Sequence, residues 1–565
     1  MNKFLSVVCL SALMFGCADH TAKTTHSITT SVIAPGTILV DAKDNISDSD
    51  LADLSAIAGT PLYAHNDTAR KYKYEVGQVD PANEDAILAR LNADSRVESA
   101  EAMVEYHALY TPNDPLYADK QWHMSRVGAE SSWNMSCGMG VKVAVIDTGV
   151  ACFDSNGFSR ISDLVGTKCE GGYNFVSDND LAADDQMHGS HVAGTIAQAT
   201  NNGIGGAGLA YCVTIMPVKV LAGNGSGTME GVAEGIRYAA DEGAQVINMS
   251  LGSSHPSKVV ADAVAYAYKK GVVIVAAAGN DSGPVGYPAA YPGVIAVSAT
   301  DEDDDMASFS SHGPQVAIGA PGTNVMQQTI CNGGMDKCEG FQALNGTSMA
   351  TPHVAAAAAL LVGQGITDPD AVREKLQSTA NHKEDKLQFG AGILRADTAV
   401  KSTVLWHFVW RLAALMALLF LANRAAKTNV MKSKMVVAGV VLGGFGLMPL
   451  MFTGLLPHMG SFRWIGELAV RPIGEWDIVL GFNHNYLLLA NFLPAALATV
   501  LMFGHKHMRM FAGGLALGSA ALCAQIAFSS EVNFFMGMWI MKVWMGVSIA
   551  ASMWLAKSVF TKTDK

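Results

Sequence analysis

From residue 141 onward the apolar residues come in short unbroken runs, at 141–146, 213–220, 245–249, 272–278 and 293–297. Runs of this length without alternation suit strands covered on both faces. Segments with helical spacing, such as 231–242 and 258–270, fall between them. Strand and helix in turn predict an α/β domain, a parallel sheet with helices on both faces. A different rhythm precedes it. Residues 37–42, 72–79 and 97–104 read as strands, and 49–58 (closed by Gly59) and 83–93 as helices. That pattern predicts a compact α+β unit of about 70 residues. A third rhythm follows. Five apolar stretches, near 404–422, 435–456, 486–504, 511–529 and 533–556, are each long enough to cross a bilayer, which predicts an all-α transmembrane bundle.

Charge divides the chain along the same lines. Residues 404–565 carry 13 Lys+Arg against 5 Asp+Glu, a net of +8, and the rest of the chain carries −20. An acidic part and a basic, apolar part imply two solvents. Nucleic acid is excluded as a partner for the acidic part, because phosphate binding needs clustered Lys and Arg. Hard cations suit it better. With the acidic part outside, loops 423–434 and 505–510 and the tail place nine Lys+Arg inside, against Lys401, Arg463 and Arg471 outside. Five spans satisfy the positive-inside rule and an exported N-terminal part together. Arg411 lies near an outer edge, where it can snorkel, and Lys542 lies deeper; an intramembrane charge raises the question of function.

The chain starts with Lys3, an apolar run to Phe15 and Gly16-Cys17-Ala18, the layout of an export signal over residues 1–18. Cys17 suits either a lipidated cysteine or an ordinary signal-peptidase site. Six further cysteines, Cys137, Cys152, Cys169, Cys212, Cys331 and Cys338, fall in the middle, and an even number in an exported domain favours disulfides. Cys331 with Cys338, which close a short loop, is the first expected pair, and Cys152 with Cys169 a second. Zinc is disfavoured, since no C-x-x-C or His-rich spacing occurs.

Three distant motifs carry the chemistry: Val143-Ala-Val-Ile-Asp147-Thr-Gly149, His188-Gly-Ser-His-Val-Ala-Gly-Thr195 and Asn345-Gly-Thr-Ser348-Met-Ala-Thr-Pro352. Each sets one catalytic-type side chain beside small residues, where a substrate backbone can approach. Asp147 ends a buried run, and Ser348 precedes an apolar helix whose N-terminus favours developing negative charge. The order Asp, His, Ser is one of several that produce the same acyl-transfer geometry. At these residues the chain resembles the subtilisin-like serine proteases, the subtilases of peptidase family S8.

That resemblance covers about residues 37–400 and implies a serine endopeptidase acting on proteins or peptides through an acyl-enzyme. His188 would be the base, Ser348 the nucleophile and Asp147 the group that orients His188. Ala276-Ala-Ala-Gly-Asn280 resembles the family's oxyanion stretch, with Asn280 as donor. Ser250-Leu251-Gly252 and Gly225-Ser226-Gly227 match the segments that flank a bound peptide, and Asp281 would border the first specificity pocket. Thr200-Asn201-Asn202-Gly-Ile204-Gly-Gly206 resembles a calcium loop, with Asp163 as its distant carboxylate, so that Asp163, Thr200, Asn202, Ile204 and Gly206 are the expected Ca²⁺ ligands. Asp178, Asp180, Asp184 and Asp185 read as a solvated acidic loop or a second weak cation site. The unit at 37–107 is similar to the family's inhibitory propeptide. Asn113-Asp-Pro-Leu-Tyr resembles a mature start, with self-cleavage between 105 and 111 at Leu109 or Tyr110. A peptidase at 111–400 and a membrane domain at 404–556 place the enzyme on the outer, periplasmic or extracellular, side of a bacterial-type cytoplasmic membrane, with membrane lipid as a further partner. Two other classes compete: a transporter or sensor with a regulatory exported domain, which many paired intramembrane charges would favour, and a catalytically dead binding module, which three filled triad positions oppose.

Overall fold

The computed structural model describes residues 36–103, 111–155, 157–331, 339–427, 429–481, 487–532 and 538–562. The expected export signal and the expected cleavage region at Leu109 and Tyr110 lie outside the described residues. The chain divides into two units, Met1–Ala108 and Leu109–Lys565.

In the first unit β1 (Thr37–Ala42), α1 (Asp48–Ala58), β2 (Tyr74–Gln78), α2 (Glu84–Asn92) and β3 (Val97–Ala102) follow one another. The strands pair antiparallel in the order β2-β1-β3. Alternate residues of β1, Ile38 and Val40, point at Leu54, Ile87 and Leu91 of the two helices. Ser47 and Asp50 cap the start of α1 reciprocally, and Gly59 ends it at φ 72°.

The second unit is built on a parallel sheet. Its chain order is β4 (Lys142–Asp147), α3 (His188–Ala197), β5 (Thr214–Lys219), α4 (Met229–Asp241), β6 (Val246–Met249), α5 (Lys258–Lys269), β7 (Val273–Ala277), β8 (Val294–Thr300), β9 (Val316–Pro321), β10 (Val325–Ile330), β11 (Glu339–Leu344) and α6 (Thr347–Val362). The strands lie in the order β9-β8-β7-β6-β4-β5, all parallel, and β10 and β11 form a separate antiparallel hairpin. Ala144 and Ile146 of β4 pack with Ile236 of α4 and Ala263 of α5 in one core layer. Val143 and Val145, of the opposite parity, are equally buried. The unbroken apolar runs of the sequence are the consequence of that two-sided burial. Helix α6 is buried along its length except at Ser348, which its run of alanines permits. Because β5 and β6 flank β4 on opposite sides, the strand order reverses there. A crevice opens at the carboxyl ends of such strands.

Beyond the sheet come α7 (Pro369–Ser378), α8 (Ala396–Ala426), α9 (Lys434–Val440), α10 (Arg463–Ala469), α11 (Leu487–Leu501), α12 (Lys506–Ser529) and α13 (Met538–Lys562). Among the described residues three helices are long and apolar enough to cross a membrane, Ala396–Ala426, Lys506–Ser529 and Trp539–Thr561. Five apolar stretches are expected from the sequence, and these three helices overlap the first, fourth and fifth of them. The stretch 435–456 is α9 followed by a π turn at Val441–Phe445, a break at Gly446 (φ 61°) and a 3-10 turn at Met448–Phe452. Gly439, Gly443 and Gly444 lie against α12; a side chain at Gly444 would come within 2.7 Å of Gly518 O. Small residues permit this close approach of two helix backbones. The stretch 486–504 contains α11, of 15 residues.

Arg411 does not snorkel. It is fully buried, paired with Glu475 and bonded to Gln525 Oε1 at 3.1 Å. Lys542 is exposed on α13. The expected pairing of Cys152 with Cys169 is also corrected. Cys137 bonds Cys212, while Cys152 and Cys169 are free thiols. Cys331 is disulfide-bonded, and Cys338 lies outside the described residues.

Candidate active site

Asp147 is the last residue of β4, fully buried, and shares the parity of Val143 and Val145. Its Oδ1 lies 2.8 Å from His188 Nδ1 and accepts the Thr148 N–H at 2.8 Å. His188 opens α3. That helix start comes close to the end of β4 only because residue 189 is glycine: a Cβ there would collide with Gly149 O. Gly149 itself stands at φ 100°, where a side chain is disfavoured.

The loop before His188 is neither solvated nor a cation site throughout. Asp184 is fully buried. Its Oδ1 accepts from Thr148 Oγ1 at 2.9 Å and from the Gln186 and Met187 amides at 2.9 and 3.0 Å. Its Oδ2 accepts from the Ser190 amide at 2.9 Å and hydroxyl at 2.6 Å. Thr148 Oγ1 in turn accepts the Gly189 N–H at 2.9 Å. One carboxylate thus locks the turn that carries His188 to the strand that carries Asp147. Asp185 pairs with the buried Lys219 Nζ at 2.6 Å. Burial presses the His188 imidazole toward neutrality, but the charges of Asp147 and Asp184 outweigh it, and its pKa rises above the ordinary value of 6.5.

Ser348 is the second residue of α6 and half-buried. Its Oγ donates to Ser250 O at 3.1 Å, and Ser250 Oγ donates to Ser348 O at 2.8 Å. Among the described residues no hydrogen bond joins Ser348 to His188. Catalytic hydrogen bonds are often loose without substrate and tighten when it binds. The helices of the two residues pack together: His191, one turn into α3, is near enough to His353, in α6, to depress its charge, and burial holds both pKa values down to about 4.

Asn280 follows β7. Its Oδ1 accepts from the Thr347 amide and hydroxyl, both at 2.9 Å, which leaves its Nδ2 without an acceptor among the described residues. A Cβ built on Gly346 (φ 156°) would lie 3.4 Å from Asn280 Nδ2 and 3.5 Å from the Ser348 amide nitrogen. The two N–H groups therefore border one small space that glycine keeps open, beside the Ser348 hydroxyl. Developing negative charge placed there would meet both donors.

The expected substrate segments line the same end of the sheet. Gly225, Ser226 and Gly227 are exposed in a turn, with Gly225 at φ 77°. Leu251 and Gly252 use no backbone hydrogen bond among the described residues, so an extended chain has an edge to join. Asp281 is exposed next to Asn280.

At the expected calcium loop Asp163 is fully buried. Its oxygens accept from Asn202 Nδ2 at 2.8 Å, from the Gly206 amide at 3.0 Å and from the Gln198 amide. Burial pushes its carboxyl up to about 6. Asp114, quoted from the sequence only as part of a mature start, is a second buried carboxylate close enough to repel Asp163, and it holds the Asn201 and Asn202 amides at 2.7 and 3.0 Å. Thr200 Oγ1 is turned elsewhere, to Gln198 O at 3.0 Å and the Gly208 amide at 3.1 Å. Among the described residues no group of three or more His, Cys, Asp or Glu side chains gathers as a metal centre. Two buried carboxylates near each other, without a cationic partner among the described residues, nonetheless fit a hard cation completed by carbonyl oxygens.

A profile of the subtilase family matches residues 138–393. The thermophilic serine proteinase of Bacillus sp. (strain AK1) is 38% identical over 348 residues, 61% of this chain and 82% of that protein. Thermitase of Thermoactinomyces vulgaris is 41% identical over 273 residues, 48% of this chain and 92% of its own. Subtilisin Savinase of Lederbergia lenta is 41% identical over 283 residues, 50% of this chain and 98% of its own.

Proposed function

The chain belongs to the subtilase family and is a serine-type endopeptidase, and we propose that it matures from a zymogen and works tethered to a membrane. The observation that carries the mechanism is the Asp147–His188 contact at 2.8 Å, together with the Asn280 and Ser348 donors that border one space at Gly346. His188 Nε2 takes the Ser348 proton as Oγ attacks the scissile carbonyl. Asp147 holds the imidazole's tautomer and supports its positive charge. The oxyanion forms in the space beside Gly346, facing Asn280 Nδ2 and the Ser348 amide. His188 then protonates the leaving amine, and water repeats the sequence on the acyl-enzyme. Residues 225–227 and 250–252 hold the substrate as an added strand.

The unit at 37–107 acts as an inhibitory propeptide, and the peptidase at 111–400 removes it. The helices from 404 anchor the enzyme with the peptidase on the outer side; the three long apolar helices support this, as does the export signal read at residues 1–18. A calcium ion would be held by Asp114, Asp163 and Asn202 with carbonyls of the 199–206 loop, where it would neutralise two buried carboxylates and brace the loop. A second reading, the helical module as a sensor, is favoured by its buried Arg411–Glu475 and His407–Glu531 pairs. Ser348→Ala tests the principal reading. Peptide hydrolysis falls by at least about 10⁵-fold and the chain keeps its propeptide. Normal processing of that variant would assign maturation to another protease.

A further inference from the structure

The helical module is joined to one pole of the peptidase. Arg463 Nη2 donates to Trp133 O and its Nη1 to the Tyr211 hydroxyl, both at 2.6 Å. Arg471 donates to Gly363 O at 2.7 Å. Both arginines are buried and bonded to the buried Glu467, at 3.2 and 3.4 Å. The Thr367 and Asp368 amides donate to Glu531 O at 2.8 and 3.0 Å. A side chain at Gly140 would strike Ile478 O.

In the topology these places share one property. Gly140 lies two residues before β4, Tyr211 three before β5, and Gly363 directly after α6. They mark where strands begin and where the serine-bearing helix ends. Asp147, His188, Asn280 and Ser348 all sit at the other pole, where strands end and helices begin. Strand β4, of six residues, covers about 20 Å. Helix α6, of 16 residues, covers about 24 Å. No hinge loosens the arrangement, because α8 runs 31 residues without a break from the peptidase, where the Ala396 amide donates to Val127 O, into the first apolar span.

We propose that the module closes the base of the peptidase and holds its cleft facing away from the bilayer at a stand-off of at least about 20 Å. The enzyme then cuts chain segments that stand clear of the membrane surface, in exported polypeptides or the outer parts of anchored proteins, and spares bonds beside a span. The proposal rests on the membrane-tethered reading above. At about 3.3 Å per extended residue, an anchored substrate needs a spacer of roughly six residues before its scissile bond.

The test uses the full chain in proteoliposomes with synthetic substrates. Each has an apolar spanning helix, a Gly/Ser spacer of 2 to 20 residues and one cleavable sequence, and the same sequence is also supplied without an anchor. Spacers under about six residues are expected to be cut at least tenfold more slowly than long ones, while the free peptide is cut readily. Equal rates at two and twenty residues would overturn the stand-off and leave the tether intact. Recovery of active enzyme in the soluble fraction of detergent-free lysates would instead remove the tether, and the proposal with it.

Discussion

His188 is where opposing local forces decide the chemistry. Burial alone would keep it neutral at low pH, yet Asp147 and Asp184 raise its pKa above 6.5. A base must be unprotonated to work, so the acid limb of kcat/KM is expected to have its midpoint above 6.5. Asp147→Asn should move that limb down and slow turnover about 10⁴-fold; a limb left in place would detach the shift from Asp147. The same pair acts on stability with the opposite pH sense. Its contribution is complete below the imidazole's unfolded pKa and fades as pH rises through the raised folded one. Asn280 allows a separate reading. With its Oδ1 fixed by Thr347 and its Nδ2 free, Asn280→Ala should cost about 10²–10³-fold in kcat at nearly constant KM. A pure KM effect would make it a ground-state binder. The motif residues were legible because each demands its own neighbours, as Gly189 does beside Gly149. Asp184 was not, because an acidic residue in a polar loop reads the same whether it is solvated or fully buried beneath five donors.

At the level of elements, patterning located the parts that bury two faces. The runs at 141–146 and 245–249 became β4 and β6 within a residue or so at each end, since nothing but a central strand accepts such runs. The β10–β11 hairpin escaped notice. Val325–Ile330 carries Gln327, Gln328 and Thr329, all buried, so its polarity hid a strand whose burial is met by hydrogen bonds rather than by apolar surface. The loop at 199–206 similarly concealed Asp114, 85 residues or more away in sequence. This loop carries a prediction. A cation held at a hundred times its Kd stabilises by about 2.7 kcal/mol, so chelation should lower the unfolding midpoint by roughly 5–10 °C. Asp163→Asn should abolish that sensitivity, and a wild-type midpoint indifferent to chelator would remove the calcium site.

At the level of the whole molecule, apolar length marked five stretches, of which three are helices long and apolar enough to cross a membrane among the described residues. Composition registers that residues 435–456 avoid water, but not that their glycines dock on α12 and let the chain break. Nor does it distinguish an arginine that snorkels from Arg411, whose partner Glu475 is distant in sequence. What composition did convey was the division of charge, −20 before residue 404 and +8 after it, and the three long apolar helices fall in the basic part. The central claim remains chemical: one hydroxyl in this chain is activated by the Asp147–His188 pair. Fluorophosphonate labelling of the intact protein in membranes, followed by mass mapping of the modified peptide, tests it most directly. A single adduct on Ser348 is expected, lost when His188 is replaced by alanine. An adduct on any other residue, or none from an enzyme that still hydrolyses peptides, would contradict it.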